Sequence, residues 1–200
     1  QAGNLRSVEK ALAKSGARPK VSSDASDFGA ADGMVFPGQG ACDSSMRQLK
    51  ARGLVEPIRD FIASGRPFLG ICLGLQLLLE ESDEGEEPCL GVLSGRSRRL
   101  PAGVKVPHMG WNQVRLDVSH PVLQGVPSGS HFYFVHSYYA DPADKGVVVG
   151  NTTYGTDFCS AAAWDNVVAV QFHPEKSGTI GLRLYRNFVG LVEASTGTGN

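Results

Sequence analysis

The chain has 200 residues, of which 42% are hydrophobic and 20% charged, and its formal net charge at pH 7 is -1. These values are typical of one soluble globular domain with a sizeable core, and they argue against a nucleic-acid-binding or membrane-surface role. No apolar run is long enough to span a bilayer. The 4 cysteines and 5 histidines lack the spacing of a zinc site. We therefore expect a reducing, cytoplasmic compartment, no metal and no other cofactor.

The first half of the chain predicts helices that alternate with short buried strands. Apolar residues at helical spacing indicate a first helix that is capped by Asn4 and stops near Gly16. Residues 73–81 are apolar almost all round, which is typical of a buried helix. The remaining elements expected here are strands at 34–36 and 68–71 and helices at 46–51 and 58–63.

The second half of the chain is richer in strands. Candidate strands lie at residues 113–116, 132–138, 147–149, 160–163 and 167–172, before a last helix at 180–192. Helices that alternate with strands early, and strands that cluster late, indicate an α/β sheet that is parallel in its middle with an added antiparallel part. We expect a single domain over residues 1–194, a disordered tail over 195–200, and a solvated loop at the basic run 96–99.

A possible nucleophile lies between a predicted strand and a predicted helix, where the sequence GICLG contains Cys72. Such a segment holds the nucleophile on a strained turn, and Gly70 and Gly74 allow neighbouring backbone to pack closely against it. The N-terminus of the following helix favours the reactive thiolate. We therefore interpret Cys72 as the nucleophile, whereas Cys42, Cys89 and Cys159 lack this setting and are interpreted as structural.

A possible base and its orienting group lie in the sequence QFHPE, which contains His173 and Glu175. Residues two apart in an extended segment face the same side, so the Glu175 carboxylate can orient the His173 ring. His173 would accept the thiol proton and return it to the leaving group. Thiol, imidazole and carboxylate together indicate a covalent acyl-transfer site.

An acyl-transfer site also needs donors for the negative oxygen of its tetrahedral intermediate. The turn PGQG after the strand 34–36 exposes backbone N–H groups, which makes the N–H of Gln39 one candidate. The N–H of Leu73, the residue after the nucleophile, is the other. This glycine-containing turn lacks the third glycine of a dinucleotide-binding fingerprint, so we do not interpret it as one.

These segments resemble the class I, triad-type glutamine amidotransferases in residue type and in order. Three further runs are similar to the glutaminase subunits of imidazole glycerol phosphate synthases, namely residues 3–8 (GNLRSV), 107–112 (PHMGWN) and 133–138 (YFVHSY). The run PHMGWN is the most specific of the three and argues against a triad glutaminase that serves another acceptor. The resemblance extends from about residue 3 to residue 192. It implies a flavodoxin-like α/β fold with a mixed, mostly parallel central sheet and flanking helices.

The resemblance implies that Cys72 attacks the side-chain amide of glutamine, and that ammonia and glutamate leave in turn. It also implies a heterodimer with a (β/α)8-barrel synthase subunit, which uses the ammonia to form imidazole glycerol phosphate and aminoimidazole carboxamide ribotide in histidine biosynthesis. Glu84 would pair with the ammonium group of glutamine. The full set of implied glutamine-binding residues is Gly40, Gln76, Glu84, His136, Ser137 and Tyr138. The implied partner-facing residues are Trp111, Asn112 and Lys176.

Members of this family begin with a hydrophobic strand before the first helix, whereas this chain begins at Gln1 within the turn that follows that strand. We therefore expect the first strand of the family to be absent. Its absence would leave backbone N–H and C=O groups of neighbouring strands unpaired, and each buried one costs on the order of 1–3 kcal/mol.

The residues leave two alternatives from other functional classes. A cysteine peptidase-like hydrolase would share the turn around Cys72, but it has less reason to carry Gln76 together with QFHPE. A catalytically silent subunit that only binds a partner would fit the expected loss of a strand. Glutamine hydrolysis, peptide cleavage and absence of turnover distinguish the three.

Overall fold

Residues 2–197 are described by a computed structural model, with side chains from Leu5 onward. This part of the chain forms helices α1 (Ala2–Lys14), α2 (Cys42–Ala51), α3 (Val55–Ala63), α4 (Leu73–Leu77) and α5 (Gly178–Thr196). Its strands are β1 (Met34–Gly38), β2 (Phe68–Cys72), β3 (Glu81–Ser82), β4 (Gly95–Arg99), β5 (His108–Leu116), β6 (Ser130–His136), β7 (Tyr138–Pro142), β8 (Val148–Thr153), β9 (Asp157–Trp164) and β10 (Val167–Val170).

The sheet is parallel in its middle, as the sequence predicts. β2 lies between β1 and β10 and runs parallel to both. From β10 the sheet continues through antiparallel pairings with β9, β7 and β4, and the two-residue β3 closes this edge in parallel with β4. β8 joins β9 to β5, and β5 and β6 form a long antiparallel hairpin. The mixed α/β architecture is therefore confirmed, with an antiparallel part that includes most of the later strands.

The two faces of β2 enter two separate hydrophobic clusters. Its five residues are all buried, because the strand is central and covered on both sides. Leu69 and Ile71 pack with residues of α1 and α5, whereas Phe68 packs with residues of α2 and α3. This alternation follows from the two-residue period of a strand. The central strand that ends at Cys72 is thus held by packing on both faces of the sheet.

The helix expected at residues 73–81 is wrong in its extent, because α4 ends at Leu77. The carbonyls of Leu77, Leu78 and Leu79 accept N–H groups from the segment 90–93 instead of from a further helical turn. These donors lie more than ten residues later in the chain, so the apolar pattern of residues 73–81 alone could not predict where the helix ends. The apolar run is buried as predicted, but only its first turn is helical.

Three smaller expectations also differ from the structure. The helix α1 already includes Ala2, so Asn4 lies inside it and not at its cap. The basic run 96–99 forms most of β4 and not a loop, because its backbone pairs with β7 and with β3. The helix α5 extends through Thr196, two residues into the predicted tail, and the end of that tail lies outside the described residues.

Within residues 2–197, β1 pairs with β2 alone. Its other edge has no ladder partner among these residues. A groove of about 1160 Å³ is lined by β1, α1, the end of α5 and the segment 17–23. The lining of this groove includes Gly38 and Gln39 but neither Cys72 nor His173, so the groove meets the site described below only at the turn after β1.

The closest approach between β1 and the start of α4 occurs at Gly74. A Cβ atom at this position would lie 2.0 Å from the backbone oxygen of Phe36. A neighbouring backbone atom cannot move aside as a flexible side chain can, so only glycine fits here without displacing β1 or α4.

We predict that Gly74→Ala destabilises the protein by about 1–3 kcal/mol, because the added methyl group overlaps the Phe36 carbonyl. The measurement is the midpoint of urea unfolding, at unchanged m-value. The matched control is Gly190→Ala, since Gly190 lies on α5 with nothing within 4 Å of its Cβ position. That change should leave the midpoint equal or slightly higher. Equal midpoints for Gly74→Ala and the parent chain would contradict the close packing.

Candidate active site

Cys72 lies on a strained turn at the carboxyl end of the central strand β2. Its φ of 56° and ψ of -110° are in a region that non-glycine residues rarely adopt. Among the described residues, Asp165 is the only other non-glycine residue with positive φ. α4 begins at the next residue, Leu73, but its five residues give it only a small dipole. Strain of this kind is retained where the surrounding structure enforces it, and it is concentrated at functional sites.

His173 and Glu175 form a buried pair, with their side chains 1% and 0% exposed. The distance from His173 Nδ1 to Glu175 Oε1 is 2.7 Å, so the ring donates its Nδ1 hydrogen to the carboxylate. Tyr185 donates its hydroxyl to the other oxygen, Glu175 Oε2, at 3.4 Å. His173 Nε2 is buried without a hydrogen-bond partner. The ring is thus oriented by Glu175 and presents a free nitrogen for proton transfer.

The backbone around His173 is held by β6 and by the start of α5. His173 donates its N–H to Tyr133 O at 2.9 Å. Ser177 donates its hydroxyl to His173 O at 2.6 Å and accepts the N–H of Tyr133 at 3.0 Å. A Cβ atom on Gly181 would lie 1.8 Å from Pro174 O, so α5 packs directly against this turn. The imidazole is therefore positioned by backbone on both sides.

The pKa of His173 is set by one effect that lowers it and by two neighbouring side chains that raise it. Burial lowers the pKa of His173, but the nearby Cys72 and Glu175 side chains more than offset this and raise it to about 9. The imidazolium is therefore populated at neutral pH. The imidazolium is the form of His173 that can donate a proton.

The sulfur of Cys72 has two hydrogen-bond contacts of opposite sense. It donates to Val135 O at 3.8 Å, and it accepts from Gln171 Nε2 at 3.7 Å. Gln171 is completely buried. The sequence prediction did not include Gln171, although its place two residues before His173 puts it on the same side of an extended segment.

The two predicted oxyanion donors follow residues that are paired in the sheet. Gly38 of β1 is in register with Cys72 of β2, and Gln39 and Leu73 are the next residues on these parallel strands. A Cβ atom on Gly38 would lie 2.8 Å from Leu73 Cβ, which shows how closely the two turns approach. Parallel pairing thus brings both candidate N–H groups to the edge of the sheet where Cys72 lies.

Hydrogen bonds connect three of the predicted substrate residues. Gln76 Nε2 donates to Tyr138 O at 2.8 Å and to Gln171 Oε1 at 3.2 Å. The sulfur of Cys42 lies 3.9 Å from Gln76 Oε1, and the Cys42 backbone N–H donates to Glu84 Oε2 at 2.7 Å. Gln76, Glu84 and Tyr138 are therefore parts of one connected polar group next to Cys72.

Gly40 and Ser137, also predicted to bind substrate, lie in turns at the ends of strands. Gly40 has a φ of 98°, which lets the chain turn from β1 toward α2. Ser137 separates β6 from β7, and its carbonyl accepts the N–H of Leu100 at 3.0 Å. Both residues therefore present backbone at strand ends, where substrates of α/β sheets bind.

His136 belongs to a chain of hydrogen bonds in which the positions of the protons can be assigned. His136 Nδ1 lies 2.8 Å from Tyr138 O and must donate to it, so His136 Nε2 accepts from His108 Nδ1 at 2.9 Å. His108 Nε2 in turn accepts from Asn112 at 3.2 Å. Burial lowers the pKa of His108 to about 4 and that of His136 to about 3. Both rings are therefore neutral at pH 7.

The predicted partner-facing residues lie beside the base. Trp111 is 57% exposed and contacts the Tyr133 ring edge to face, with 6.1 Å between ring centroids. Lys176 Nζ lies 5.8 Å from the centre of the same ring. Asn112 is only partly exposed, because its amide also donates to Thr153 O at 3.1 Å. Trp111 and Lys176 thus flank Tyr133, whose backbone holds His173.

Several site residues were missed by sequence reasoning besides Gln171. Tyr185 and Ser177 support Glu175 and His173 from α5 and its start, and His108 supports His136 from β5. Ser177 and Tyr185 are close to QFHPE in sequence, so their spacing could have indicated them. His108 carries no such local signal, because it depends on the pairing of β5 with β6.

Among residues 2–197, no three side chains of histidine, cysteine, aspartate or glutamate converge as a metal ion would require. The four cysteines are free thiols and all are buried. No helix in this part of the chain has the length and apolar character needed to cross a membrane.

Residues 3–191 match the family Glutamine amidotransferase class-I. The chain belongs to this family. The chain is 51% identical over 191 residues to the "Imidazole glycerol phosphate synthase subunit HisH" of Rhodopirellula baltica, covering 94% of this chain and 93% of the relative. It is 46% identical over 187 residues to the subunit of the same name in Dehalococcoides mccartyi, covering 93% and 91%. The family predicted from the sequence is thus confirmed.

Two solved structures show the same fold at low sequence identity. A crystal structure of a glutamine amidotransferase superposes with a TM-score of 0.74 at 22% identity, covering 94% of this chain and 93% of that one. A GMP synthase subunit from Thermoplasma acidophilum gives 0.73 at 20% identity, covering 96% and 90%. The class I amidotransferase fold expected from the sequence is confirmed.

The buried histidines predict how stability depends on pH. His108 and His136 stay neutral in the folded chain down to about pH 4 and about pH 3, whereas the unfolded chain protonates them near 6.5. The unfolded state therefore binds more protons below pH 6.5, and stability falls as the pH falls through this window. In His108→Phe, the fall in urea midpoint between pH 7 and pH 4.5 should be smaller than in the parent chain.

The control for this comparison is His131→Phe, because His131 is exposed on β6. That variant should keep the pH dependence of the parent chain. A His108→Phe variant with the same fall in midpoint as the parent would show that His108 is not held neutral by burial.

Proposed function

We propose that this chain hydrolyses glutamine to glutamate and ammonia and supplies the ammonia to the synthase subunit of an imidazole glycerol phosphate synthase. The observation that carries the proposal is the pair His173–Glu175, whose free Nε2 is available to a cysteine on a strained turn. Membership of the glutamine amidotransferase family supports the amide chemistry. The names of relatives at 46% and 51% identity support the synthase and its histidine pathway.

In the first half of the reaction, the Cys72 thiolate attacks the side-chain amide carbon of glutamine and a C–S bond forms. Negative charge develops on the amide oxygen, where the N–H groups of Gln39 and Leu73 stabilise it. His173 then donates its Nε2 proton to the amide nitrogen, the C–N bond breaks, and ammonia leaves. The product is a thioester between Cys72 and the glutamyl group.

In the second half, water hydrolyses this thioester. His173, now neutral at Nε2, takes a proton from the water as it attacks the thioester carbon. The same two backbone N–H groups stabilise the second oxyanion. The C–S bond breaks, glutamate leaves, and the thiolate of Cys72 is restored beside the imidazolium. Glu175 accepts the Nδ1 hydrogen throughout and stabilises the ring in its charged form.

The hydrogen bonds of the site suggest how each predicted residue binds glutamine. Glu84 is held through Oε2 by Cys42, which leaves Oε1 to pair with the substrate ammonium. Gln76 donates both amide hydrogens to protein acceptors, and its Oε1 accepts from Cys42 Sγ at 3.9 Å, so only the second lone pair of Oε1 remains to accept from the substrate. Both nitrogens of His136 are engaged, so His136 contributes through its backbone. Gly40, Ser137 and Tyr138 complete the site with backbone groups.

We further propose that the synthase partner is a (β/α)8-barrel and that it docks on the face formed by Trp111, Asn112 and Lys176. Trp111 is 57% exposed, and tryptophan is typical of the residues that dominate protein interfaces. This face adjoins the backbone that holds His173, so ammonia released there has a short path to a docked partner. The four cysteines are free thiols, which is typical of a reducing compartment, and we propose the cytoplasm.

We predict that Cys72→Ala lowers the kcat of glutamine hydrolysis about a thousand-fold or more, because no other group can form the thioester. The assay measures glutamate and ammonia with and without the synthase subunit. The control is Cys159→Ala, since Cys159 is buried and its sulfur donates to Ala161 O at 3.5 Å. Cys159→Ala should keep its turnover.

The same assay distinguishes the alternatives. Ammonia release that rises when the synthase subunit is added supports the proposal. Cleavage of peptides without glutamine hydrolysis would instead indicate a peptidase-like hydrolase, and absence of any turnover would indicate a silent subunit. Retained turnover in Cys72→Ala would remove Cys72 from the mechanism.

Glu175→Gln should lower kcat on the order of 100-fold, less than Cys72→Ala does. A neutral amide oxygen still accepts the Nδ1 hydrogen, but it no longer stabilises the imidazolium, so the pKa of His173 falls. The loss should appear in kcat more than in KM, because Glu175 does not contact substrate. A loss equal to that of Cys72→Ala would assign Glu175 a different role.

A further inference from the structure

We propose that Gln171 is a further catalytic residue, which stabilises the Cys72 thiolate by donating its side-chain N–H to the sulfur. This inference rests on the proposed function and adds a stabilising group to its nucleophile. Gln171 Nε2 lies 3.7 Å from Cys72 Sγ, within the range of a hydrogen bond to sulfur. Gln171 is 0% exposed, so no water competes for this contact.

The two neighbours of the sulfur respond in opposite ways to the loss of its proton. Val135 O lies 3.8 Å from Cys72 Sγ and can only accept a hydrogen bond, so it favours the thiol. Gln171 Nε2 can only donate, so it favours the thiolate. A hydrogen bond to an ionised group is about twice as strong as one between neutral groups. When Cys72 loses its proton, the contact with Gln171 therefore strengthens and the contact with Val135 is lost.

The orientation of the Gln171 amide is fixed by its other end. Gln171 Oε1 accepts from Gln76 Nε2 at 3.2 Å, so the NH2 group must face Cys72. Turning the amide over would set two NH2 groups against each other. Gln76 is itself fixed, because its second hydrogen goes to Tyr138 O at 2.8 Å. Gln76 is thus a positioning residue that acts on Cys72 through Gln171.

The backbone also holds Gln171 in place. Its N–H donates to Ser160 O at 2.9 Å, just beyond the last paired residues of β9 and β10. Gln171 and His173 lie two residues apart on the same short segment, and the side chains of both approach Cys72. The other titratable groups nearby in the described chain are Glu175 and Tyr185, which lie behind His173, and the neutral His136 and His108.

A purely structural role for Gln171 makes a different prediction from a catalytic one. If its amide only fills hydrogen-bonding needs in the core, removing it lowers stability but leaves the ionisation of Cys72 unchanged. If it stabilises the thiolate, removing it shifts the pH at which Cys72 becomes reactive. The readout that separates the two is the pH dependence of Cys72 alkylation.

The test compares Gln171→Met, which keeps the size of the side chain but has no donor, with the parent chain. Iodoacetamide modifies Cys72 between pH 5 and pH 10, and mass spectrometry of the Cys72 peptide gives the rate. We expect the midpoint of this pH profile to rise by about one to two units, and kcat for glutamine at pH 7 to fall about 10- to 100-fold. Gln124→Met, an exposed change far along the chain, is the matched control and should leave both unchanged.

Gln171→Asn gives a second measurement that does not depend on Gln171→Met folding well. It keeps the amide but shortens the side chain by one methylene group, so its N–H falls short of the sulfur. The midpoint should rise here as well. If the parent chain hydrolyses glutamine but the folded variants alkylate with the same pH midpoint as the parent, the inference is overturned. A parent chain that alkylates normally but never hydrolyses glutamine would overturn the proposed function instead.

Discussion

The site depends on the close contact between the end of β1 and the first turn of α4. Gly74 lies against the Phe36 carbonyl and Gly38 against Leu73, at distances that no Cβ would allow. This contact forces the chain to leave β2 abruptly, and Cys72 takes up the strain as a positive φ. It also brings the turn after β1 close to Leu73, so the two backbone segments with the proposed oxyanion donors meet beside Cys72. The strain at Cys72 and the approach of these two turns therefore both follow from one packing constraint.

Around this turn, the polar side chains satisfy one another almost completely. Gln76 connects Cys42 and Glu84 on one side with Gln171 and Tyr138 on the other. Buried polar groups are costly when unpaired, so each such residue restricts the orientation of its neighbours. His173 Nε2 is an exception, since it is buried and has no partner. Ser160 Oγ, next to the backbone of Gln171, is another.

Local sequence patterns predicted the parts of the site that local geometry determines. The turn at Cys72 and the pair His173–Glu175 each depend on a few adjacent residues, and the short strand β2 and the helical spacing of α5 were likewise visible. The end of α4 was not visible in the sequence, because the carbonyls that follow it accept hydrogen bonds from the later segment 90–93. β4 was interpreted as a loop because its backbone partners, β3 and β7, lie elsewhere in the chain. Gln171 was missed because its proposed role depends on its contacts with Cys72 and Gln76, which lie about a hundred residues earlier in the chain.

The pairing of β2 with β10 has a consequence for how activity arises during folding. Cys72 ends the first of these strands and His173 follows the second, and the two strands are about a hundred residues apart in the chain. Contacts of such long range form late, because the intervening chain must first be ordered. Until β10 docks, Cys72 lacks its proposed base, His173. A newly synthesised chain is consequently silent until its last quarter has been made and folded.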